Sequence, residues 1–204
     1  GCDINPVATL VARAKSFNYQ ENYLNNYFQS IIEEFNSIDR TAIQYEANER
    51  LMYWYDTSHY LDLFILKKVI EKSIPKRSNY RLFFLCAFSN ILKSTSRWLT
   101  KSIKPQIDPN KKPSDVINAF EEQCKFMITA SVESKIQSKV NSDIITGSFL
   151  KGSVIPPEVD MIITSPPYVT SYEYADLHQL STLWLGYAED YRKFREGSIG
   201  SLYH

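Results

Sequence analysis

The stretch Val159-Asp160-Met161-Ile162-Ile163-Thr164-Ser165-Pro166-Pro167-Tyr168 decides the predicted fold. Its first half is short, apolar and rich in β-branched residues, which is typical of a strand buried on both faces of a parallel sheet. The two prolines then end the strand, because each fixes φ and lacks a backbone donor. Ligands of open α/β sheets bind beyond the carboxyl ends of the strands, so residues 165–168 are the first candidate site.

Thr164-Ser165-Pro166-Pro167-Tyr168 resembles the catalytic motif of S-adenosylmethionine-dependent DNA methyltransferases that modify exocyclic amino groups. That family carries Asp, Asn or Ser, then Pro-Pro, then an aromatic residue, and the Ser form is more usual in enzymes acting on cytosine than on adenine. The resemblance implies Ser165, Pro166, Pro167 and Tyr168 as catalytic residues and S-adenosyl-L-methionine as the cofactor. The alternative is a proline-stiffened loop after a core strand.

Gly1-Cys2-Asp3-Ile4-Asn5-Pro6 predicts the end of a strand that turns into a helix, since Pro6 suits the first helical position. The segment is similar to the cofactor-ribose motif of the same family. The resemblance implies Asp3 as the ligand of the ribose hydroxyls, with Asn5 as a second cofactor-binding residue. The alternative is that Asp3 is a turn or capping residue.

Residues 142–149 predict another short strand, followed by a turn at Gly147. The family counterpart ends in Gly-Asp, whose carboxylate reaches the adenine amino group of the cofactor, and Ser148 stands at that position here. A hydroxyl accepts this hydrogen bond more weakly than a carboxylate. An ordinary strand and turn is the alternative.

The Gly-rich loop that lies against the methionine part of the cofactor in this family has no counterpart among the six glycines. We therefore expect an internal fragment of such an enzyme. The expected fold class is α/β, with part of a Rossmann-like methyltransferase sheet in residues 1–16 and 141–204. A large all-helical insertion, residues 17–140, interrupts this sheet.

Apolar residues recur at three- and four-residue spacing in the insertion, which predicts amphipathic helices. One stripe consists of Leu24, Tyr27, Phe28, Ile31, Ile32 and Phe35. Thr57 or Ser58 is predicted to cap a second helix, a third is predicted from Tyr80 to Leu99, and a long one is predicted from a cap at Ser114 to Ile136.

Charge in the insertion is uneven, although the whole chain has 23 basic and 23 acidic residues. Twelve basic and two acidic residues lie between Lys67 and Lys112. Such a run is the footprint of a phosphate-binding face, and Trp98 adds a predicted stacking surface for a base. We single out Arg97, Lys101 and Lys104 as DNA contacts; the alternative is a solvated face that balances an acidic region.

A Tyr-rich segment follows the Pro-Pro motif, and Leu180-Ser181-Thr182-Leu183-Trp184-Leu185-Gly186 after it is also similar to the family. Tyr172 and Tyr174 are candidates to line the pocket of the target base. Packing in the core is the alternative for both.

Three cysteines without zinc spacing predict no metal site, and no signal peptide or membrane-spanning run is found. We expect a cytoplasmic protein. The resemblance implies site-specific methylation of cytosine, less often adenine, in DNA, with DNA and other methyltransferase or restriction–modification components as partners. The alternatives are an RNA base amino-methyltransferase and a non-catalytic helical fragment that binds nucleic acid or protein.

Overall fold

The computed structural model describes residues 1–99, 101–102, 104–134, 141–151, 159–165 and 173–195. These residues are mainly helical and contain a two-stranded parallel sheet. In chain order the elements are β1 (Cys2–Asp3), α1 (Pro6–Ser16), α2 (Glu21–Ser37), α3 (Glu49–Met52), α4 (Thr57–Ser73), α5 (Asn79–Ile91), α6 (Val116–Glu133), β2 (Ile145–Thr146), α7 (Tyr174–Leu177) and α8 (Gln179–Trp184). Short 3-10 helices lie at Arg40–Ala42, Phe149–Lys151 and Tyr191–Phe194.

The predicted fold class is wrong, because the described residues do not form a Rossmann-like methyltransferase sheet. The sheet consists of β1 and β2, each two residues long. Met161, Ile162 and Ile163 were expected in a buried strand, but they are 76%, 75% and 89% exposed and lack regular secondary structure. A β-branched apolar run becomes a strand only where a neighbour pairs with it, and no described residue does so here.

A helical core forms where the faces of α2, α4, α5 and α6 meet. The stripe predicted on α2 is confirmed, since Leu24, Ile31 and Phe35 on that helix are fully buried. Phe84 and Phe88 of α5 and Phe120 of α6 meet them from the other side. Burying each such side chain stabilises the fold by roughly 1.5–3 kcal/mol, so this cluster holds the helical region together.

Polar side chains fix where the long helices begin. The side chain of Asp56 accepts the N–H of His59 at the start of α4, and that of Asp115 accepts the N–H of Asn118 at the start of α6. The cap of α4 therefore lies one residue before the first predicted candidate, Thr57, and the cap of α6 lies one residue after the predicted Ser114. The short anionic side chain satisfies a backbone donor that the first turn leaves without a partner.

Helix α5 ends at Ile91, well before the predicted Leu99. The hydroxyls of Ser94 and Thr95 donate to the carbonyl of Ile91, and the hydroxyl of Ser96 donates to the carbonyl of Lys93. Serine and threonine compete in this way with the helical hydrogen-bond ladder. The chain beyond α5 therefore turns back, and Trp98 pairs with Ile107 in an isolated antiparallel bridge.

Helix α8 joins the helical core through Trp184, which is 4% exposed. Its ring lies against the rings of Tyr55, Tyr60 and Phe88, with centroids 5.9, 4.9 and 5.9 Å away. None of the helices in the described ranges combines the length and apolar character needed to cross a bilayer.

Candidate functional site

The two strand ends with predicted cofactor residues lie side by side. Strands β1 and β2 run parallel, with Cys2 opposite Ile145 and Asp3 opposite Thr146. The N–H of Gly147 donates to the carbonyl of Asp3 at 2.9 Å. Because the carboxyl ends of parallel strands meet at one edge, Asp3 and the segment Gly147-Ser148 form one surface.

Asp3 shapes the turn between β1 and α1. One carboxylate oxygen accepts the N–H of Asn5 at 2.8 Å, and the side chain of Asn5 accepts the N–H of Val7 at 2.9 Å. Asn5 is thus the cap of α1, and Pro6 occupies the first helical position, as predicted. The carboxylate of Asp3 is exposed at the tip of the strand, so the turn and a ligand contact are compatible roles.

Helix α1 is fastened to the second strand by side chains. The hydroxyls of Thr9 and Thr146 lie 2.7 Å apart, and Arg13 donates to the carbonyl of Ile144 through Nε at 3.1 Å and Nη2 at 2.8 Å. The amino terminus of Gly1 donates to the carbonyl of Asp143. These contacts fix the half-buried Ser148 in relation to Asp3.

The catalytic motif is described only up to Ser165, which is exposed and lies outside helices and strands. Pro166, Pro167, Tyr168 and Tyr172 lie outside the described residues. No hydrogen bond joins Ser165 to Asp3 or Ser148, both of which the structure describes. Among the predicted site residues, the structure therefore brings Asp3 and Gly147-Ser148 together at one strand edge.

Tyr174, the second candidate to line a base pocket, is the first residue of α7 and is 40% exposed. Its neighbour Ala175 is buried.

Some basic side chains between Lys67 and Lys112 bind other groups of the protein, and others are exposed to solvent. Lys67 and Lys72 form ion pairs with Glu71 and Glu34. Arg81, Arg97 and Lys111 donate to backbone carbonyls. Lys76, Arg77, Lys101, Lys104 and Lys112 are exposed. Of the three residues singled out as DNA contacts, Lys101 and Lys104 are therefore exposed, whereas Arg97 is half-buried.

Trp98 is 1% exposed and stacks on Trp54 with ring centroids 4.6 Å apart. The prediction that it offers a stacking surface for a base is therefore wrong. Arg97 supports the same region from the outside, since its Nη2 donates to the carbonyl of Tyr53 at 2.6 Å and its backbone N–H to the carbonyl of Trp54.

A buried polar cluster around Gln179 has no signal in the local sequence. Its side-chain oxygen accepts from Nε and Nη2 of Arg50 and from the indole N–H of Trp54, at 3.1, 2.9 and 3.2 Å. Its amide nitrogen donates to the carbonyl of Asp176 at 2.9 Å. Arg50 and Gln179 are 129 residues apart, so only the folded chain shows that they form one unit.

An ion pair lies beside the Gln179 cluster, where Arg195 binds both carboxylate oxygens of Asp176.

No group of three or more potential metal ligands is found in the part of the chain that the structure describes. No protein-family model, curated protein or solved structure matches this chain.

Proposed function

We propose that this chain belongs to a DNA methyltransferase that transfers a methyl group from S-adenosyl-L-methionine to the exocyclic amine of cytosine, less often adenine. The observation that carries the proposal is the parallel pairing of β1 with β2, which puts Asp3 beside Gly147-Ser148. Two segments that resemble cofactor motifs thus meet at one edge of one sheet, although they are more than a hundred residues apart in sequence. The proposal includes a cytoplasmic location.

The strand ends suit an adenosine moiety. The exposed carboxylate of Asp3 is an acceptor for the ribose hydroxyls, and a charge-assisted hydrogen bond is roughly twice as strong as a neutral one. Ser148 offers a hydroxyl to the adenine amino group. Because α1 is tied to β2 through Thr9 and Arg13, the two contacts are held at a fixed separation before the cofactor binds.

Ser165 and the Pro-Pro motif carry the proposed chemistry. The amino lone pair of cytosine is delocalised into the ring, so the nitrogen is a poor nucleophile. In our proposal the hydroxyl oxygen of Ser165 and the carbonyl oxygen of Pro166 accept hydrogen bonds from its two N–H groups and aim the lone pair at the sulfonium methyl. Tyr168 stacks on the base, which must leave the duplex to react. S-adenosylmethionine would supply the methyl group: the new carbon–nitrogen bond would form as the methyl–sulfur bond breaks, S-adenosylhomocysteine would leave, and the proton released from the amine would pass to water.

Asp3 gives the first test of the cofactor site. We expect Asp3→Asn to weaken S-adenosylmethionine binding about tenfold, because the amide can still accept the N–H of Asn5 but loses the negative charge. Asp143→Asn is the matched control: this exposed carboxylate lies at the amino end of the same strand pair, and we expect unchanged affinity. Calorimetry with the protein at its natural length measures both. Equal losses in the two variants would contradict an adenosine site at Asp3.

Lys101 and Lys104 give a test of the DNA face. We expect neutralising either lysine with glutamine to weaken binding to all DNA sequences alike and to lower the slope of log K against log salt by about 1. Lys72→Gln is the control, because Lys72 is paired with Glu34 at 2.6 Å. Fluorescence anisotropy with labelled duplexes at several salt concentrations measures the slopes. An unchanged slope in both test variants, or an equal change in the control, would rule out this face.

A further inference from the structure

A cavity of about 590 Å³ opens between α1, α5, α6 and the segment that joins α7 to α8. Its size is that of sites for small organic ligands. Each of these three helices contributes lining residues, among them Val11 and Lys15 from α1, Cys86 and Asn90 from α5, and Met127 and Ala130 from α6. It is distinct from the edge formed by Asp3 and Ser148, neither of which lines it.

The walls combine apolar side chains with positive charge. Phe83, Met127 and Leu180 are among the apolar lining residues, and Phe126, which is 69% exposed, lies at the rim. Lys15 and Lys93 line the cavity, whereas no Asp or Glu is among the described residues that line it. This combination fits a ligand with an apolar body and a negative charge, and it disfavours a sulfonium cation.

Lys93 is the charged group held closest to the interior. It lies half-buried just after α5, with its ammonium 4.7 Å from the ring centroid of Trp98. It forms no ion pair with any carboxylate that the structure describes. Burial lowers the pKa of Lys93, which is the mark of a cation that has lost water without gaining an anion.

His178 stands near Lys93 in the same wall. Burial lowers the pKa of its imidazole below 6.5, and the charge of Lys93 lowers it further, against an opposing effect of Asp3. The ring is therefore largely neutral at pH 7, so it is a hydrogen-bond donor or acceptor rather than a second cation.

The residues of α5 that line the cavity extend along the helix and on to Lys93 just after it. Phe83, Cys86, Asn90 and Lys93 follow one another at three- and four-residue spacing, which spans about 15 Å at the rise of a helix. At the Phe83 end three rings converge: the centroids of Phe17 and Tyr19, and of Tyr19 and Phe83, lie 4.9 Å apart. The Phe83 end is thus mainly aromatic, with Lys15 near Cys86, and Lys93 supplies the charge at the other end.

We propose that this cavity binds an organic monocarboxylate with an extended apolar chain. The carboxylate pairs with Lys93 and accepts a hydrogen bond from His178, and the chain lies along α5 toward Phe17, Tyr19 and Phe83. The site is independent of the proposed methyl transfer, since its ligand is neither the cofactor nor DNA.

Decanoate is the probe, with decanol and decylamine as ligands of equal chain length and different charge. We expect calorimetry at pH 7 to give saturable binding of one decanoate per chain. Decanol should bind about tenfold more weakly because it lacks the charge that pairs with Lys93, and decylamine should not bind. Equal affinity for decanoate and decanol, or no saturable binding of decanoate, would overturn the proposal.

Two variants locate the ligand. Lys93→Met keeps the apolar stem and should weaken decanoate about tenfold while leaving decanol unchanged, whereas the control Lys76→Met removes an exposed charge and should change neither. Ala130→Phe fills part of the cavity from α6 and should abolish binding of both ligands, with a thermal melt to show that the variant folds. Unaltered binding to Ala130→Phe, or equal losses in the two lysine variants, would place the ligand elsewhere.

Discussion

Replacing Ser165 with alanine is expected to lower the rate of methyl transfer about 100-fold while the affinity for S-adenosylmethionine changes by less than about twofold. The reason is geometric: the hydroxyl acts on the amino nitrogen of the base, and a misplaced nucleophile loses much of the benefit of positioning. Single-turnover rates at saturating cofactor give the first quantity, and calorimetry gives the second.

Ser148→Ala is the matched comparison, because it also removes a serine hydroxyl, but from the proposed cofactor site rather than from the site of the target base. We expect it to weaken cofactor binding by about 1 kcal/mol and to leave the rate at saturating cofactor unchanged. If Ser165→Ala instead abolishes cofactor binding while turnover per bound cofactor stays the same, the role given to Ser165 is wrong.

Replacing Gln179 with leucine is expected to lower the free energy of unfolding by about 3 kcal/mol. The side chain is fully buried, and its oxygen accepts from Arg50 and from Trp54. Leucine of similar size leaves the buried indole N–H of Trp54 without a partner and takes an acceptor from the exposed Arg50, so the loss is that of unmade hydrogen bonds rather than of volume. Urea denaturation followed by circular dichroism measures it.

Two further variants separate the cluster from a general effect of the substitution. Gln29→Leu makes the same change on the exposed surface of α2, and we expect a difference within about 0.5 kcal/mol. Gln179→Glu keeps acceptor oxygens for Arg50 and should lose less than the leucine variant. If Gln179→Leu unfolds at the urea concentration of the unchanged protein, the cluster does not stabilise the fold.

Local patterns predicted the helical region well. The stripe on α2 and the start of α1 at Pro6 are confirmed, because apolar spacing and the fixed φ of proline act within a few residues. The caps of α4 and α6 were displaced by one residue, because neighbouring residues at both starts are suitable caps and only the backbone geometry chooses between them. The end of α5 was missed for a similar reason, since it depends on which carbonyls the hydroxyls of residues 94–96 reach.

Interactions between distant segments were harder to predict. Asp3 ends one short strand and Ser148 follows another, as predicted, but the exposure of Met161 to Ile163 shows that an apolar run alone does not make a sheet. The burial of Trp98 against Trp54 and the contact of Arg50 with Gln179 involve partners far apart in sequence. The cavity along α5 is likewise formed by residues of separate helices, so the sequence of no single segment predicts it.

Nucleoside analysis shows whether the protein transfers a methyl group to DNA. Duplex DNA and structured RNA are incubated separately with the natural-length protein and S-adenosylmethionine that carries a deuterated methyl group, then hydrolysed to nucleosides for mass spectrometry. We expect deuterated N4-methylcytosine in the DNA and none in the RNA, with Ser165→Ala reducing the yield. Label found only in RNA, or no labelled base in DNA while the cofactor is bound, would contradict it.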